Sequence, residues 1–337
     1  MNVIKKKIQK KLSEVKKYHS YFRWFSSEKE VVLLDLPNKT KVRTYLNLII
    51  RLNAYYNLPV VIKFSPFRYF ILIRWFKDFD NLYFKKPFSK IRVHKEFSFR
   101  GKADFKVNYK YKKVYNQQEY IPNALPYIMH PANYLMEQPE VLPKSVGIVM
   151  SGNMDKHIYD TNHMKNHFNI LNRWKIYAEL IKLEGVVEVE GGAYVRALKT
   201  GDYLRNMVIM KWQSGALPIE KWRYYLSTAK FIWCAPGMTM PLCHNILEAM
   251  SVGVVPILNY EDWLNPSLKD GENCLVYKKE EDMEKVLNKA LQMSAENYQN
   301  IQTNVVNYYN EYYSVYDFDA AQGQDFIMLN ETIEDII

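Results

Sequence analysis

Residues 230–258, KFIWCAPGMTMPLCHNILEAMSVGVVPIL, constrain the fold more than any other stretch of this chain. FIWC is a short apolar run that ends in a turn built on Pro236 and Gly237. Leu242–Val252 has helical spacing with a single acidic residue, Glu248, before Gly253 stops it and VVPIL begins a second apolar run. Short apolar runs bounded by turn residues predict buried strands, and strand–loop–helix–strand is the repeating unit of a parallel α/β sheet. Ligands of such sheets bind beyond the C-terminal ends of the strands, beside helix N-termini that favour anions. Pro236, Gly237, His244, Asn245 and Glu248 fall at that end, and a carboxylate one turn into the helix can accept a hydrogen bond from a ribose diol.

The same pattern recurs elsewhere. EVVLLDLP (Glu30–Pro37) and LPVVIKF (Leu58–Phe64) read as strands, and Thr40–Asn57 between them carries apolar residues at helical spacing. Phe67–Phe84 is a candidate helix, and Lys106–Tyr115 alternates like an exposed strand or hairpin. Ile121–Pro143 holds five prolines, which interrupt both helix and sheet, and is the predicted linker. Beyond it, SVGIVM (Ser145–Met150) predicts a strand that turns at Ser151, Gly152 and Asn153. A helix over Asn169–Leu183, a strand over Val186–Val189 and a helix near Ile219–Ser227 follow. Asp270–Tyr277 reads as a loop with a short strand, and Glu280–Met293 as a charged amphipathic helix. The division that results is a basic segment 1–29, an α/β domain 30–143, a second α/β domain 144–310 and a closing segment 311–337.

Composition narrows the function classes. The 337 residues suit two domains, yet only 12 are glycine and neither GxGxxG nor GxxxxGK[ST] occurs, which argues against a dinucleotide oxidoreductase or a P-loop enzyme. The three cysteines form no CxxC pair, so a disulfide framework or zinc site is not expected and a reducing compartment fits. No apolar signal core precedes residue 30, and the uncharged run Phe231–Leu247 is interrupted by two prolines and too short to span a bilayer. The expectation is a cytoplasmic protein, peripheral on the inner face of the membrane. Of the formal charge of +10, residues 1–29 carry nine basic against two acidic side chains, a net of +7. Val3, Ile4, Ile8, Leu12 and Val15 share one helical face, so residues 1–27 are a candidate for an anionic membrane surface. The alternative is a solvated helix docked on the protein itself. No recognition motif accompanies the charge, so nucleic acid is not an expected partner.

Four pieces carry a family likeness: Val149–Asn153 with Asn172-Arg173; Tyr224–Phe231, YYLSTAKF; Pro236-Gly237 followed by Asn245–Pro256; and Asp270–Tyr277, DGENCLVY. Over roughly residues 145–310 they resemble the C-terminal domain of GT-B glycosyltransferases. The likeness is nearest to the exostosin-like branch, and looser to the large retaining group of bacterial envelope enzymes. The resemblance implies two Rossmann-like parallel-sheet domains facing a central cleft, with the last helix returning to the N-terminal domain. It further implies a nucleotide-sugar donor on the C-terminal half, a glycan or lipid-linked acceptor on the other, and transfer without cofactor or metal. Asp78-Phe79-Asp80 and Asp317-Phe318-Asp319 match a DxD only literally.

The resemblance assigns Glu248 to the ribose, and His244 and Asn245 to the diphosphate or sugar. Ser151, Gly152 and Asn153 would present backbone N–H groups, Arg173 would bind phosphate, and Pro236-Gly237 would form the donor turn. Lys156 is a further candidate. The chain departs from the pattern at Met240, where the retaining group has a glutamate, and at His244, where the exostosin-like branch has an arginine. Histidine titrates near neutrality, so phosphate binding there could depend on pH. His130 and Asp155 are the candidate general bases, with Asp35 as a rival. Two other readings stay open: an isomerase of nucleotide sugars on the same fold, and a non-catalytic glycan- or membrane-binding protein on a decayed one.

Overall fold

The computed structural model describes 31–35, 42–58, 60–63, 93–96, 104–108, 139–198, 201, 203–211, 217–238, 240–314, 316–319, 322–323 and 325–328, with 9, 13, 23–24 and 124–125. Its internal contacts divide the chain into two compact units, Met1–Tyr109 with Asp317–Met328, and Lys110–Tyr316 with Leu329–Ile337. Phe67–Phe84, His130 and nearly all of the basic segment lie outside the described residues.

The first unit is a parallel sheet. Val32–Asp35 is flanked by Val60–Lys63 on one side and Phe105–Asn108 on the other, and Val93–Glu96 pairs beyond Val60–Lys63. Helix Val42–Tyr56 buries Ile49 and Leu52 of the predicted stripe, together with Leu48. The chain re-enters this unit as a strand, Asp325–Met328, parallel to Phe105–Asn108, and not as the helix that was expected. The clasp ahead of that strand explains Asp317-Phe318-Asp319. Phe318 is buried against Phe105, while Tyr55 and Tyr56 donate their hydroxyls to Asp319 at 3.1 and 2.8 Å. These carboxylates anchor the returning chain to the helix.

Among the described residues the second unit carries a six-stranded sheet: β1 (Val146–Gly152), β2 (Val186–Val189), β3 (Tyr203–Lys211), β4 (Ala229–Trp233), β5 (Val255–Leu258) and β6 (Leu275–Val276). They lie in the order β6-β5-β4-β1-β3-β2, and every registered pair is parallel. The doubly wound order is 3-2-1-4-5-6; here the second and third strands have exchanged places. Their sequences account for it. In β3, Met207–Met210 is an unbroken apolar run, at most 4% exposed, as a strand covered on both faces requires. In β2, VVEV places Glu188 mid-strand, where it needs water or a cation. On the edge it meets Lys211 Nζ at 2.7 Å and the Tyr177 hydroxyl. β3 is the one strand of this unit that the sequence reading passed over.

Eight helices of the second unit are described: α1 (Lys156–Tyr159), α2 (His163–Phe168), α3 (Arg173–Leu180), α4 (Gly191–Ala197), α5 (Ile219–Leu226), α6 (Asn245–Met250), α7 (Glu280–Leu291) and α8 (Ala295–Tyr309). Helix α8 stays with this unit, packing on α6 and β5. The expected helix Leu242–Val252 shrinks to α6. Gly253, at φ +67°, turns the chain so that Val254 N donates back to Ala249 O at 3.0 Å. Val146, Ile148, Val149 and Met150 of the central strand are all fully buried, each such side chain contributing about 1.5–3 kcal/mol. Because β2 and β3 lie on one side of β1 and β4 to β6 on the other, the connections after β1 and β4 diverge. In open α/β sheets the place beyond the C-terminal ends of two such strands is where the ligand crevice forms.

Candidate functional site

Arg173 organises that crevice. It is the first residue of α3, set by its N-cap Asn172, whose Oδ1 accepts from Lys175 N at 2.8 Å. The residue is only 7% exposed. Nε donates to Pro236 O at 3.0 Å, Nη1 to Asn153 O at 3.4 Å and to the Tyr159 hydroxyl at 3.2 Å, and Nη2 lies 3.4 Å from Cys243 Sγ. The Tyr159 ring stands 4.4 Å from the guanidinium carbon. One cation therefore ties the turn after β1, the turn after β4 and the approach to α6. Among the described residues its partners are two carbonyls, a phenol and the Cys243 sulfur, and none is a carboxylate.

Glycine is required at two places in this arrangement. Gly152 has φ +151°, and a Cβ there would sit 3.2 Å from Arg173 Nη1. At Gly237 a Cβ would meet Met240 O at 2.7 Å and Leu242 O at 3.0 Å, because Gly237 N closes a tight loop onto Pro241 O at 3.1 Å. Met240, which stands where the retaining pattern has a glutamate, is 8% exposed within the hydrophobic core.

The second cation is His244. Its Nδ1 lies 2.8 Å from Glu248 Oε1, and Glu248 Oε2 accepts from Trp222 Nε1 at 2.8 Å. Glu248 is fully buried, whereas the His244 side chain is 36% exposed. Burial opposes a charged imidazole, but the attraction of Glu248 outweighs it and lifts His244 to about 9. The ring is thus an imidazolium across the neutral range. This removes the pH sensitivity near neutrality that histidine alone suggested. Cys243, between the two cations, is lowered despite its burial because Arg173 and His244 favour the thiolate.

The structure brings Gly152, Asn153, Arg173, Pro236, Cys243, His244 and Glu248 into one network. Glu248 reaches it through His244: with both oxygens engaged, direct contact with a ribose would require His244 or Trp222 to move aside. Asn245 opens α6, 6% exposed, with Oδ1 unpartnered among the described residues. Ser151, the next-to-last residue of β1, pairs with Met210 of β3. Asp155 caps α1, accepting from His157 N at 2.9 Å, and Lys156 lies over the Trp174 ring at 5.8 Å. Trp222, Tyr159 and Cys243 were missed. A carboxylate in an otherwise apolar helix was the available signal for a buried donor such as Trp222.

No family model matches the chain, and no curated protein matches it. Solved structures do. WaaG, a glycosyltransferase involved in lipopolysaccharide biosynthesis, aligns over 86% of this chain and 98% of its own at 11% identity, TM-score 0.37. HepE from Anabaena in complex with UDP aligns over 86% and 96% at 9% identity, TM-score 0.40. TarM from S. aureus, solved with Fondaparinux, alpha-GlcNAc-glycerol and UDP, aligns over 82% and 57% at 8% identity, TM-score 0.37. Identities and scores this low transfer no residue role.

Proposed function

We propose that the protein is a glycosyltransferase that takes a sugar from a nucleotide-sugar donor held by the second unit. The observation that carries the reading is the pair of cations beyond β1 and β4. Arg173 is buried against two carbonyls, a phenol and the Cys243 sulfur, with no carboxylate among its described partners, and His244 is kept charged by Glu248. Two positive groups against one carboxylate leave a net positive site at the place where open parallel sheets bind phosphates. Departure of a nucleoside diphosphate needs stabilisation of developing negative charge, which preorganised cations supply without a metal ion. His244, the exposed member, contacts the diphosphate; Arg173 fixes the three loops and adds its field. The carbonyl-lined turns at Asn153 and Pro236 hold the donor's orientation, and Asn245 offers a buried acceptor to it. A general base for the acceptor hydroxyl comes from His130 or Asp155. The acceptor is a surface polysaccharide or lipid-linked glycan, with residues 1–27 resting on an anionic membrane.

Calorimetry with UDP, GDP and CMP tests the donor site. At least one should bind, at least tenfold more weakly to the His244→Ala variant. Absence of binding by all three, or an unchanged His244→Ala, rules the reading out. Met240, apolar and buried where a glutamate was expected, favours a second reading, a non-catalytic binder on the same fold. Hydrolysis of a sugar donor by the wild type decides against it.

A further inference from the structure

A second cavity lies along the same edge of the sheet, between the end of α2 and the segment after β5. It measures about 620 Å³ and is lined by His167, Phe168, Asn259, Tyr260, Asp262 and Trp263, with Lys278 and Lys279 at its rim. None of these residues belongs to the network around Arg173. Asn259, the first residue after β5, is 2% exposed, and neither Oδ1 nor Nδ2 has a hydrogen-bond partner among the described residues. Leaving a buried amide unpaired is destabilising, and an exception of this kind calls for a ligand or a functional reason. Phe168 and Trp263 meet edge to face, with centroids 5.0 Å apart and planes at 81°. That contact braces the indole. Tyr260 also lines the cavity, and its phenol is raised chiefly by burial, with Cys234 and Cys243 adding to the rise and Arg173 opposing it.

We propose that this cavity is a carbohydrate subsite that takes one neutral sugar ring, with vicinal hydroxyls bonded to the Asn259 amide and a C–H face laid on Trp263. A primary amide offers a donor and an acceptor side by side, and adjacent hydroxyls, each able to do both, complement it. The rim carries both signs of charge: Lys278 is paired with Glu261, and Asp262 stands among the basic residues. Such a rim favours a neutral polar ligand over a second phosphate. The volume lies in the range of small-molecule sites. The assignment rests on the glycosyl-transfer reading for the identity of its ligand, while its residues are separate from those of the donor diphosphate.

Saturation-transfer NMR on the whole chain tests it, with glucose, galactose, mannose, N-acetylglucosamine and their β-linked disaccharides, each with and without UDP. At least one sugar should bind saturably, and its affinity should fall at least tenfold in both Asn259→Leu and Trp263→Ala. UDP affinity should stay within about twofold in both. Asn259→Leu should also raise the thermal midpoint, by roughly 2–6 °C, because it removes an unpaired buried amide; a structural asparagine would give a fall. Trp263 is part-exposed, so its variant keeps the test open if the leucine variant misfolds. If UDP binds but no sugar does, the subsite is wrong and the donor reading stands. Sugar binding indifferent to both substitutions places the sugar elsewhere and overturns the proposal. So does loss of UDP or uridine binding in Asn259→Leu, which would make the cavity a base pocket. If neither sugars nor UDP bind, both readings fall.

Discussion

Replacing Glu248 by glutamine isolates the charge that holds His244. The amide keeps the size of the carboxylate and can still accept from Trp222, but it no longer attracts the imidazolium. His244 rises from its ordinary 6.5 to about 9 in the folded protein, and each unit corresponds to about 1.4 kcal/mol, so the coupling has an upper bound of roughly 3 kcal/mol. With the His244 side chain 36% exposed, solvent screening reduces this to about 1–2 kcal/mol. The folded value lies above the unfolded one. The stabilisation is therefore fully present below pH 6.5, declines as pH rises from 6.5 to about 9, and is absent above that. The stability gap between wild type and Glu248→Gln should follow the same course. Urea unfolding at half-unit pH steps reads the gap, and NMR of the His244 ring reads its titration. Burial alone lowers a histidine, so in the variant the ring should titrate at or below 6.5. Arg173 and Cys243 also act on His244 and remain in the variant, so any change is due to the carboxylate. A pH-independent gap between 6.5 and 9, or a wild-type ring titrating below about 7.5, would refute the reasoning.

Trp222→Phe should act on the same carboxylate in the opposite sense. It strips one donor from Glu248, costs about 1.5–3 kcal/mol in urea unfolding, and raises the His244 titration, because the carboxylate has one partner fewer. Arg173→Met should cost about 2–4 kcal/mol by leaving carbonyls of two turns without their donor, and Arg173→Lys should restore little of it, because a single ammonium cannot span Pro236, Asn153 and Cys243. Lys144, whose Nζ donates to Ser227 O at 2.8 Å and Gly253 O at 3.4 Å, is lowered by burial from 10.5 to about 7. Its folded value is depressed, so its contribution strengthens as pH rises from about 7 to 10.5, against the trend of His244. Lys144→Met should abolish that slope in a pH series of unfolding curves.

The strand frame of the second unit was legible because apolar runs bounded by turn residues admit few alternatives. Val186–Val189 has the predicted bounds, and β1, β4 and β5 lie within or next to the predicted strands. β3 was not legible in the same way. Its apolar core is only the four residues Met207–Met210, preceded by Arg205 and Asn206, so the run is too short to stand out from a helix segment. Which strand lies beside β1 is a tertiary question. It is answered by Glu188, whose partner Lys211 lies 23 positions away in sequence but on the adjacent strand. The returning strand Asp325–Met328 was missed for a related reason: its place depends on the anchoring of Phe318 and Asp319 to a helix more than 250 residues earlier.

The site divides along the same line. Residue types at the strand ends, Pro236 and Gly237 after one and Gly152 and Asn153 after another, could be read locally because turns impose local requirements. Charge state could not. His244 taken alone is a group poised near neutrality, and Glu248 taken alone is an acceptor for a ligand. Four residues apart on a helical path, they instead face each other at 2.8 Å, and Trp222 from α5 closes the other carboxylate oxygen. The buried acid thereby converts a titratable ring into a lasting cation at the rim of the crevice. Arg173 complements it from below: enclosed by carbonyls, it cannot reach far, but its charge is not cancelled. On the proposed reading, with His244 touching a diphosphate and Arg173 fixed behind it, anion affinity depends on Glu248 without Glu248 touching the anion. The substitution of a carboxylate should then weaken the binding of a negatively charged ligand. A direct ribose contact predicts no such selectivity: the nucleoside loses affinity as well as its diphosphate. Titrating uridine and UDP against Glu248→Gln separates the two: loss confined to UDP supports action through His244, and equal loss of both refutes it.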